Sequence, residues 1–128
     1  MNKKIITSAK APAPIGPYNQ AVEAGGMLFV SGQIPLNQES GELVTGSIED
    51  QTHQVMKNLG YILQEAGLGF SAVIKCSIFV QDLGNFGKIN EVYGSYFEES
   101  SAPARETVEV SALPKNVGVE ISCIAIRS

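Results

Sequence analysis

Two stretches with helical periodicity stand among five strand-like runs, and this imbalance limits the possible folds more than any other feature of the chain. The first helical stretch begins after Ser47, a typical N-cap with acidic residues in the turn that follows, and ends before Gly67. The second begins after Asn85, which we expect to cap it. Two helices cannot cover both faces of a wide sheet, so both should pack on one face. The strand-like runs cover residues 20–24, 27–33, 73–80, 107–112 and 117–126.

The connections between these runs predict two hairpins. Gly25 and Gly26 separate the first two runs, as expected of a tight turn. Residues 113–116 contain Pro114 and separate the last two runs, which predicts a second hairpin-like pair. Residues 1–17 contain three of the six prolines, so this arm should be extended, with room for one more strand. The sequence therefore predicts a single α+β domain over residues 1–128, with a mixed sheet.

The second face of this sheet requires a cover. Residues 117–126 are rich in Val and Ile and offer little polar surface to water. Charged residues make up only 17% of the chain, below the usual share of about 25%. Both features predict an oligomer in which the uncovered face meets another subunit.

Charge and hydropathy exclude several kinds of partner. The net charge is −4 and Lys3-Lys4 is the longest basic run, which disfavours nucleic acid as the main ligand. No apolar stretch has the length of a signal peptide or a membrane span. We therefore expect a soluble, cytoplasmic protein.

The residues that usually carry metal or cofactor chemistry are few. Cys76 and Cys123 lie in apolar runs and should be buried free thiols. His53 is the one histidine, lies on the first helix and should face solvent. No zinc spacing and no phosphate-binding loop occurs. We expect no metal and no cofactor.

Arg105 and Glu120 are the first candidates for a functional site. Arg105 is either a surface cation or a clamp for a carboxylate, which its planar guanidinium binds with two hydrogen bonds. Glu120 interrupts the most apolar run, and alternation places it on the face opposite Val119 and Ile121. It is either solvated or paired, or it faces a pocket and orients a water molecule.

Four further residues have a structural and a functional interpretation. Tyr18 follows Gly-Pro and either packs at a turn or walls a pocket. Ser31 and Gly32 end a strand, and a glycine there also lets a ligand approach the backbone. Asn90 is either a polar residue on a helix face or a hydrogen-bonding group between subunits. The residues alone thus indicate a small oligomeric domain with a candidate anion site, and no reaction.

Six short stretches, taken in order, resemble one family. The chain resembles the RidA/YjgF family, formerly described as translation inhibitors or L-PSP endoribonuclease-like proteins, from about Ala11 to Ile126. The matching residues are Ala11–Tyr18, Ser31–Pro35, Asp82-Leu83 with Phe86, Asn90 and Tyr93, Pro103–Arg105 with Val108–Val110, Leu113-Pro114, and Val119–Ile121.

The resemblance implies a homotrimer of chorismate-mutase-like domains, with sheets inside, helices outside and ligand clefts between subunits. It implies a cofactor-free hydrolase that acts on C=N bonds, a 2-iminobutanoate/2-iminopropanoate deaminase. The enzyme would convert reactive 2-imino acids and their enamine tautomers, released by PLP-dependent threonine or serine dehydratases, to 2-keto acids and ammonia. The alternatives are a non-catalytic trimer that binds small carboxylates and regulates amino-acid or purine metabolism, and an endoribonuclease, which the acidic charge disfavours.

The resemblance also implies a role for each candidate residue. Arg105 would hold the substrate carboxylate and Glu120 would position the attacking water. In a cleft between subunits, the two residues can come from different chains. Tyr18, Ser31, Gly32 and Asn90 would shape the cleft. Many members carry Cys where this chain has Thr107. Because the backbone is the part used there, we expect Thr107 to retain substrate binding and to lack any thiol chemistry.

Overall fold

Six strands form one mixed sheet in the computed structural model, which describes residues 2–128. A separate two-stranded ribbon, β4 (Leu36–Asn37) and β5 (Glu42–Leu43), lies in the loop after the third strand. The six strands of the sheet are β1 (Lys4–Ile6), β2 (Ala21–Ala24), β3 (Met27–Gln33), β6 (Val73–Val80), β7 (Ala104–Glu109) and β8 (Val119–Ile126).

Two α-helices have the predicted positions. Helix α1 spans Ile48–Glu65, and the side chain of Ser47 accepts a hydrogen bond from the backbone N–H of Asp50 at 3.1 Å, which confirms the predicted N-cap. Helix α2 spans Phe86–Gly94. Asn85 occupies the predicted N-cap position of α2, but its side chain makes no capping hydrogen bond. A short 3₁₀ turn precedes this helix instead, and Asp82 caps that turn by accepting from Gly84 N.

Both helices lie on one face of the sheet, as the sequence predicts. Helix α1 packs against β3, β8 and α2, and its apolar stripe is buried. The stripe includes Val55, Leu59 and Ile62, which share one core with Ile78 of β6 and Ile121 of β8. Burial of this apolar surface is the main contribution to the stability of the fold.

The sheet order is β1-β2-β3-β8-β6-β7, with β6 and β7 parallel and the other pairs antiparallel. The first hairpin is confirmed, since Ala24 and Met27 pair across Gly25-Gly26. The prediction of a second hairpin, between the last two strands, was wrong, because β6 lies between β7 and β8 in the sheet. The connection crosses the end of β6, where Val110 N donates to Val80 O at 2.9 Å. The connection between β7 and β8 is therefore long enough to bypass a strand. Strand β7 itself begins and ends three residues earlier than the sequence predicted.

The face opposite the helices is mixed in character. Phe29 and Val108 are 45% and 43% exposed there. Glu120 and Ser122 of β8 point to the same face, so residues 117–126 do have a polar side, contrary to expectation. No helix of residues 2–128 covers this face. Its occupation by another subunit stays a prediction.

The two cysteines confirm the prediction of buried free thiols. Cys76 and Cys123 are paired neighbours on β6 and β8, on the side covered by the helices. Burial raises the pKa of both thiols, which keeps them protonated and poorly nucleophilic.

Within residues 2–128, no helix is both long enough and apolar enough to cross a bilayer.

Candidate active site

Arg105 lies on the edge strand β7 and points toward α2. Its Nη1 donates a hydrogen bond to Asn90 Oδ1 at 2.6 Å. The guanidinium carbon lies 5.5 Å from the ring centre of Phe86 and 5.2 Å from that of Tyr93, within the range of cation–π attraction. Within residues 2–128, no carboxylate forms an ion pair with Arg105. The guanidinium is therefore held in one orientation while its charge is left without a partner.

A cleft of about 570 Å³ opens beside this guanidinium, within the range of about 300–1,000 Å³ that is usual for small-ligand sites. We call it the Arg105 cleft. Phe97 and Pro103 give it an apolar wall, and Glu99 places a carboxylate in the same lining. Such a cleft can hold a small carboxylate that has an apolar body. The full lining is Asn90, Tyr93, Gly94, Phe97, Glu99, Ala102, Pro103 and Arg105.

Two buried hydroxyls belong to residues around Arg105. Thr107 is two residues further along β7, on the same side of the strand, and its Oγ1 makes no hydrogen bond within residues 2–128. The hydroxyl of Tyr93 has only the Cys76 thiol beside it, a weak hydrogen-bonding partner, and burial raises the pKa of this hydroxyl. An unsatisfied buried polar atom costs about 1–3 kcal/mol. A ligand or a water that bonded to these hydroxyls would recover that cost.

Glu120 points to the other face of the sheet. Its neighbour across β6 is Phe79, on the face without helices, whereas the neighbour of Arg105 is Cys76, on the face that the helices cover. Neighbouring residues in paired strands point to the same face. Within one chain, therefore, Arg105 and Glu120 lie on opposite faces of the sheet and do not share a cleft.

The Glu120 carboxylate packs against the backbone of Gly32. A Cβ atom at Gly32 would lie 2.5 Å from Glu120 Oε2, so the carboxylate would have to move away from its present position. The register of β3 and β8 shifts between Val30 and Gln33, so Gly32 lies in this irregular segment. Glu120 is partly buried, and this burial raises the pKa of its carboxyl group above the ordinary value. Glycine at position 32 thus leaves free the space that the Glu120 carboxylate occupies.

Ser31 precedes Gly32 on β3, and its side chain is bonded to the segment that contains Tyr18. The Ser31 hydroxyl donates to the carbonyl oxygen of Asn19 at 2.6 Å, which attaches the Tyr18-Asn19 segment to β3. The Tyr18 side chain is half exposed and available to a ligand or another subunit. We call Tyr18, Ser31, Gly32 and Glu120 the Glu120 cluster. Arg105, Asn90 and Thr107 form the second group of predicted site residues, on the face that the helices cover.

The family model described as Endoribonuclease L-PSP matches residues 8–127. The chain belongs to the RidA/YjgF family. It is 50% identical over 127 residues to the RutC family protein slr0709 of Synechocystis sp., with 98% of each chain covered. It is 44% identical over 125 residues to the 2-iminobutanoate/2-iminopropanoate deaminase of Mus musculus, with 98% of this chain and 92% of the mouse protein covered.

Solved structures of the RidA/YjgF family have the same fold. The crystal structure of E. coli TdcF with bound serine superposes with a TM-score of 0.91 at 44% identity, covering 98% of this chain and 99% of TdcF. The mixed sheet with two helices on one face is therefore the fold of this RidA/YjgF family member.

The support of Arg105 was only partly visible in the sequence of this RidA/YjgF chain. Phe86, Asn90 and Tyr93 are spaced i, i+4 and i+7, so they share one helix face, and this spacing was the available signal. Both rings contact the guanidinium, although Tyr93 is buried and Phe86 is partly exposed. No sequence pattern singles out Glu99, because it reaches the cleft from a 3₁₀ turn.

Proposed function

We propose that this protein is a cofactor-free cytoplasmic deaminase that hydrolyses 2-imino acids, with their enamine tautomers, to 2-keto acids and ammonia. The observation that carries this proposal is the Arg105 guanidinium, which is oriented by Asn90 and two aromatic rings, has no carboxylate partner in residues 2–128 and faces a small cleft. The mouse relative named 2-iminobutanoate/2-iminopropanoate deaminase supports the same reaction. Its substrates would come from PLP-dependent threonine or serine dehydratases.

Arg105 would bind the substrate carboxylate through two parallel hydrogen bonds. Asn90 already accepts a hydrogen bond from one N–H group of Arg105, which leaves the other N–H groups of the guanidinium for the ligand. Backbone groups of β7 are also available, because an edge strand has unpaired N–H and C=O groups along its outer side. The substrate would then be held at one end, with its imine carbon at a fixed place.

Glu120 would act on the attacking water. The carboxylate accepts a proton from water as the oxygen bonds to the imine carbon and the C=N bond becomes a C–N single bond. Glu120 passes this proton to the nitrogen, which gives a carbinolamine. It then takes the proton of the new hydroxyl group and transfers it to the amino nitrogen, so that the C–N bond breaks, ammonia leaves and the C=O bond of the keto acid forms. A carboxyl group whose pKa is raised by burial is a better proton acceptor than an exposed one, because its basicity is closer to the working pH.

A complete site would require two copies of the chain. Arg105 and Glu120 lie on opposite faces of one sheet, so one chain alone does not present both to a substrate. We therefore propose that the Arg105 cleft of one subunit meets the Glu120 cluster of the next, in a homotrimer. The exposed Phe29 and Val108 on the face without helices support burial of that face in the assembly.

The direct test is the release of 2-keto acid by a threonine dehydratase and threonine, with and without this protein. Wild type should accelerate release, whereas Arg105→Ala should not. Lys88→Ala, which removes a positive charge elsewhere, is the matched control and should behave as wild type. An Arg105→Ala variant as active as wild type would refute the mechanism.

A mixing experiment tests the shared site. Arg105→Ala and Glu120→Gln subunits should each be inactive alone, while oligomers reassembled from both should recover part of the activity. They recover it because some interfaces then combine an intact Arg105 with an intact Glu120. Failure to recover activity in verified mixed oligomers would mean that the two residues do not act across an interface.

A second candidate function is binding of a small carboxylate without turnover, as part of amino-acid or purine regulation. The solved TdcF structure with bound serine favours it, because serine carries a carboxylate. Saturable binding of a 2-keto acid together with no acceleration of imine hydrolysis would support this function over catalysis. Endoribonuclease activity has only names in its favour, those of the family model and of some solved structures. RNA cleavage that copurifies with the protein and survives Arg105→Ala would support it.

A further inference from the structure

A second groove lies on the outer side of α1, away from the site described above. It has a volume of about 660 Å³ and shares no lining residue with the Arg105 cleft. We call it the outer groove. It is formed where α1, the N-terminal arm and the β4–β5 loop meet, and its lining is Ala9, Lys10, Asn37, Gln38, Glu39, Gln54, Lys57 and Tyr61.

The arm that forms one wall is fixed by a single buried side chain. Gln20 Oε1 accepts from Ser8 N at 2.6 Å, and Gln20 Nε2 donates to the carbonyls of Ser8 at 3.1 Å and Pro12 at 2.9 Å. These bonds span eight to twelve residues of sequence, so they anchor the arm beside Lys10. This wall of the groove is therefore preformed.

The loop and the floor are fixed as well. Asn37 Oδ1 accepts from Ser40 N at 3.2 Å, which leaves the amide N–H₂ of Asn37 free to donate. The floor is Gln54, which is only 8% exposed and donates through Nε2 to Asn58 Oδ1 at 2.9 Å. Asn58 in turn donates to the carbonyls of Ile34 and Leu36. A ligand would meet a rigid polar surface and would pay little to order it.

The charge of the outer groove is opposite to that of the whole protein. The lining contains two ammonium groups, Lys10 and Lys57, and one carboxylate, Glu39, so its net charge is positive, whereas the net charge of the whole chain is −4. Within residues 2–128, neither lysine forms an ion pair. Lys10 Nζ lies 5.9 Å from the ring centre of Tyr61, so it extends over the groove. Two ammonium groups beside amide donors attract an anion locally despite the acidic net charge.

We propose that the outer groove binds a small phosphate monoester. Lysine binds phosphate as a point charge, and two lysines match a dianion. The Asn37 amide and the Tyr61 hydroxyl are further donors for phosphate oxygens, and Gln54 Oε1 is an acceptor for a hydroxyl group of the ester. The buried floor distinguishes this groove from scattered surface lysines.

The test is a titration followed by NMR of the backbone amides at constant ionic strength, with glycerol 3-phosphate and inorganic phosphate as probes. Glycerol 3-phosphate should give saturable shifts in residues 37–39 and 54–61, and should bind more tightly than inorganic phosphate. Lys10→Gln and Lys57→Gln should each weaken binding about tenfold, as expected for the loss of one charge-assisted hydrogen bond. Lys88→Gln, which changes the net charge equally, should bind as wild type.

Three outcomes would overturn the proposal. The first is either amide chemical shifts that do not saturate with ligand, or binding that Lys88→Gln weakens as much as Lys57→Gln does. Another is equal affinity for glycerol 3-phosphate and inorganic phosphate, which would exclude recognition of an ester. The third is binding that Arg105→Ala abolishes and Lys57→Gln does not, which would place the phosphate in the Arg105 cleft. Imine hydrolysis should be unchanged in Lys10→Gln and Lys57→Gln, so failure here is distinguishable from failure of the proposed deaminase.

Discussion

The Arg105 cleft and the Glu120 cluster prepare their charged groups by different means. Arg105 is fixed from the side by α2, through one hydrogen bond and two aromatic rings, and keeps its charge. Glu120 is fixed within the sheet against Gly32, where partial burial favours its neutral form. The first arrangement is suited to binding a carboxylate in one orientation, and the second to accepting and returning a proton. The difference suggests that substitutions in the two regions should affect binding and turnover separately.

The largest effect should come from Glu120→Gln. The amide retains the shape of the side chain but cannot accept a proton from water, so kcat should fall by roughly 10²–10⁴, the usual contribution of general base catalysis. The measurements are keto acid release in the dehydratase-coupled assay and calorimetric binding of a 2-keto acid, which should be retained. Normal kcat in this variant would remove Glu120 from the mechanism.

Arg105→Lys should have the next largest effect. Lysine keeps the charge but loses the planar fork, the bond to Asn90 in its present geometry and the stacking on Phe86 and Tyr93. We expect kcat/KM to fall about 10–100-fold, as for the loss of one or two charge-assisted hydrogen bonds. Lys88→Arg, the reverse exchange on the outer part of α2, is the control and should leave kcat/KM unchanged. If Arg105→Lys retains full kcat/KM, a positive charge alone is sufficient.

Gly32→Ala tests the support of Glu120. The new Cβ would lie 2.5 Å from Glu120 Oε2, so the carboxylate has to move. We expect kcat to fall about tenfold, because a displacement of a catalytic group by about 1 Å is sufficient to lower the rate by this much. Gly69→Ala is the matched control, because nothing lies within 4 Å of its added Cβ. Equal activity of both variants would show that the position of Glu120 against Gly32 is not needed.

The pH dependence should show the smallest effect. The raised pKa of Glu120 means that the native state binds this proton more tightly than the unfolded state. Its contribution to the unfolding free energy is therefore largest at low pH and declines as pH rises through the native pKa. Activity changes in the opposite sense, because the base must be ionised. The acidic limb of kcat/KM should lie above the ordinary glutamate value of about 4.3. An acidic limb at or below that value would contradict the assignment of Glu120 as the base.

The sequence predicted the helices well because their signals are local. Ser47 and Gly67 mark the ends of α1, and the spacing of its apolar residues shows which side is buried. The Gly25-Gly26 turn was equally clear, since both residues have positive φ and a two-residue turn leaves only one way to pair the strands. The longer connection from β7 to β8 carried no such restriction, and the predicted pairing was wrong.

Sequence periodicity was sufficient to predict an α+β domain with two helices on one face and to single out Glu120, whereas Arg105 was singled out by its residue type. Alternation along β8 also gave the face of Glu120 relative to its neighbours. The face of Arg105 followed only from the pairing of β7 with β6, and the support of Glu120 only from its contact with Gly32. Side-chain alternation is a property of a single strand, whereas pairing and close contacts depend on residues far apart in the chain. For that reason the separation of the two charged groups became visible only in the folded protein.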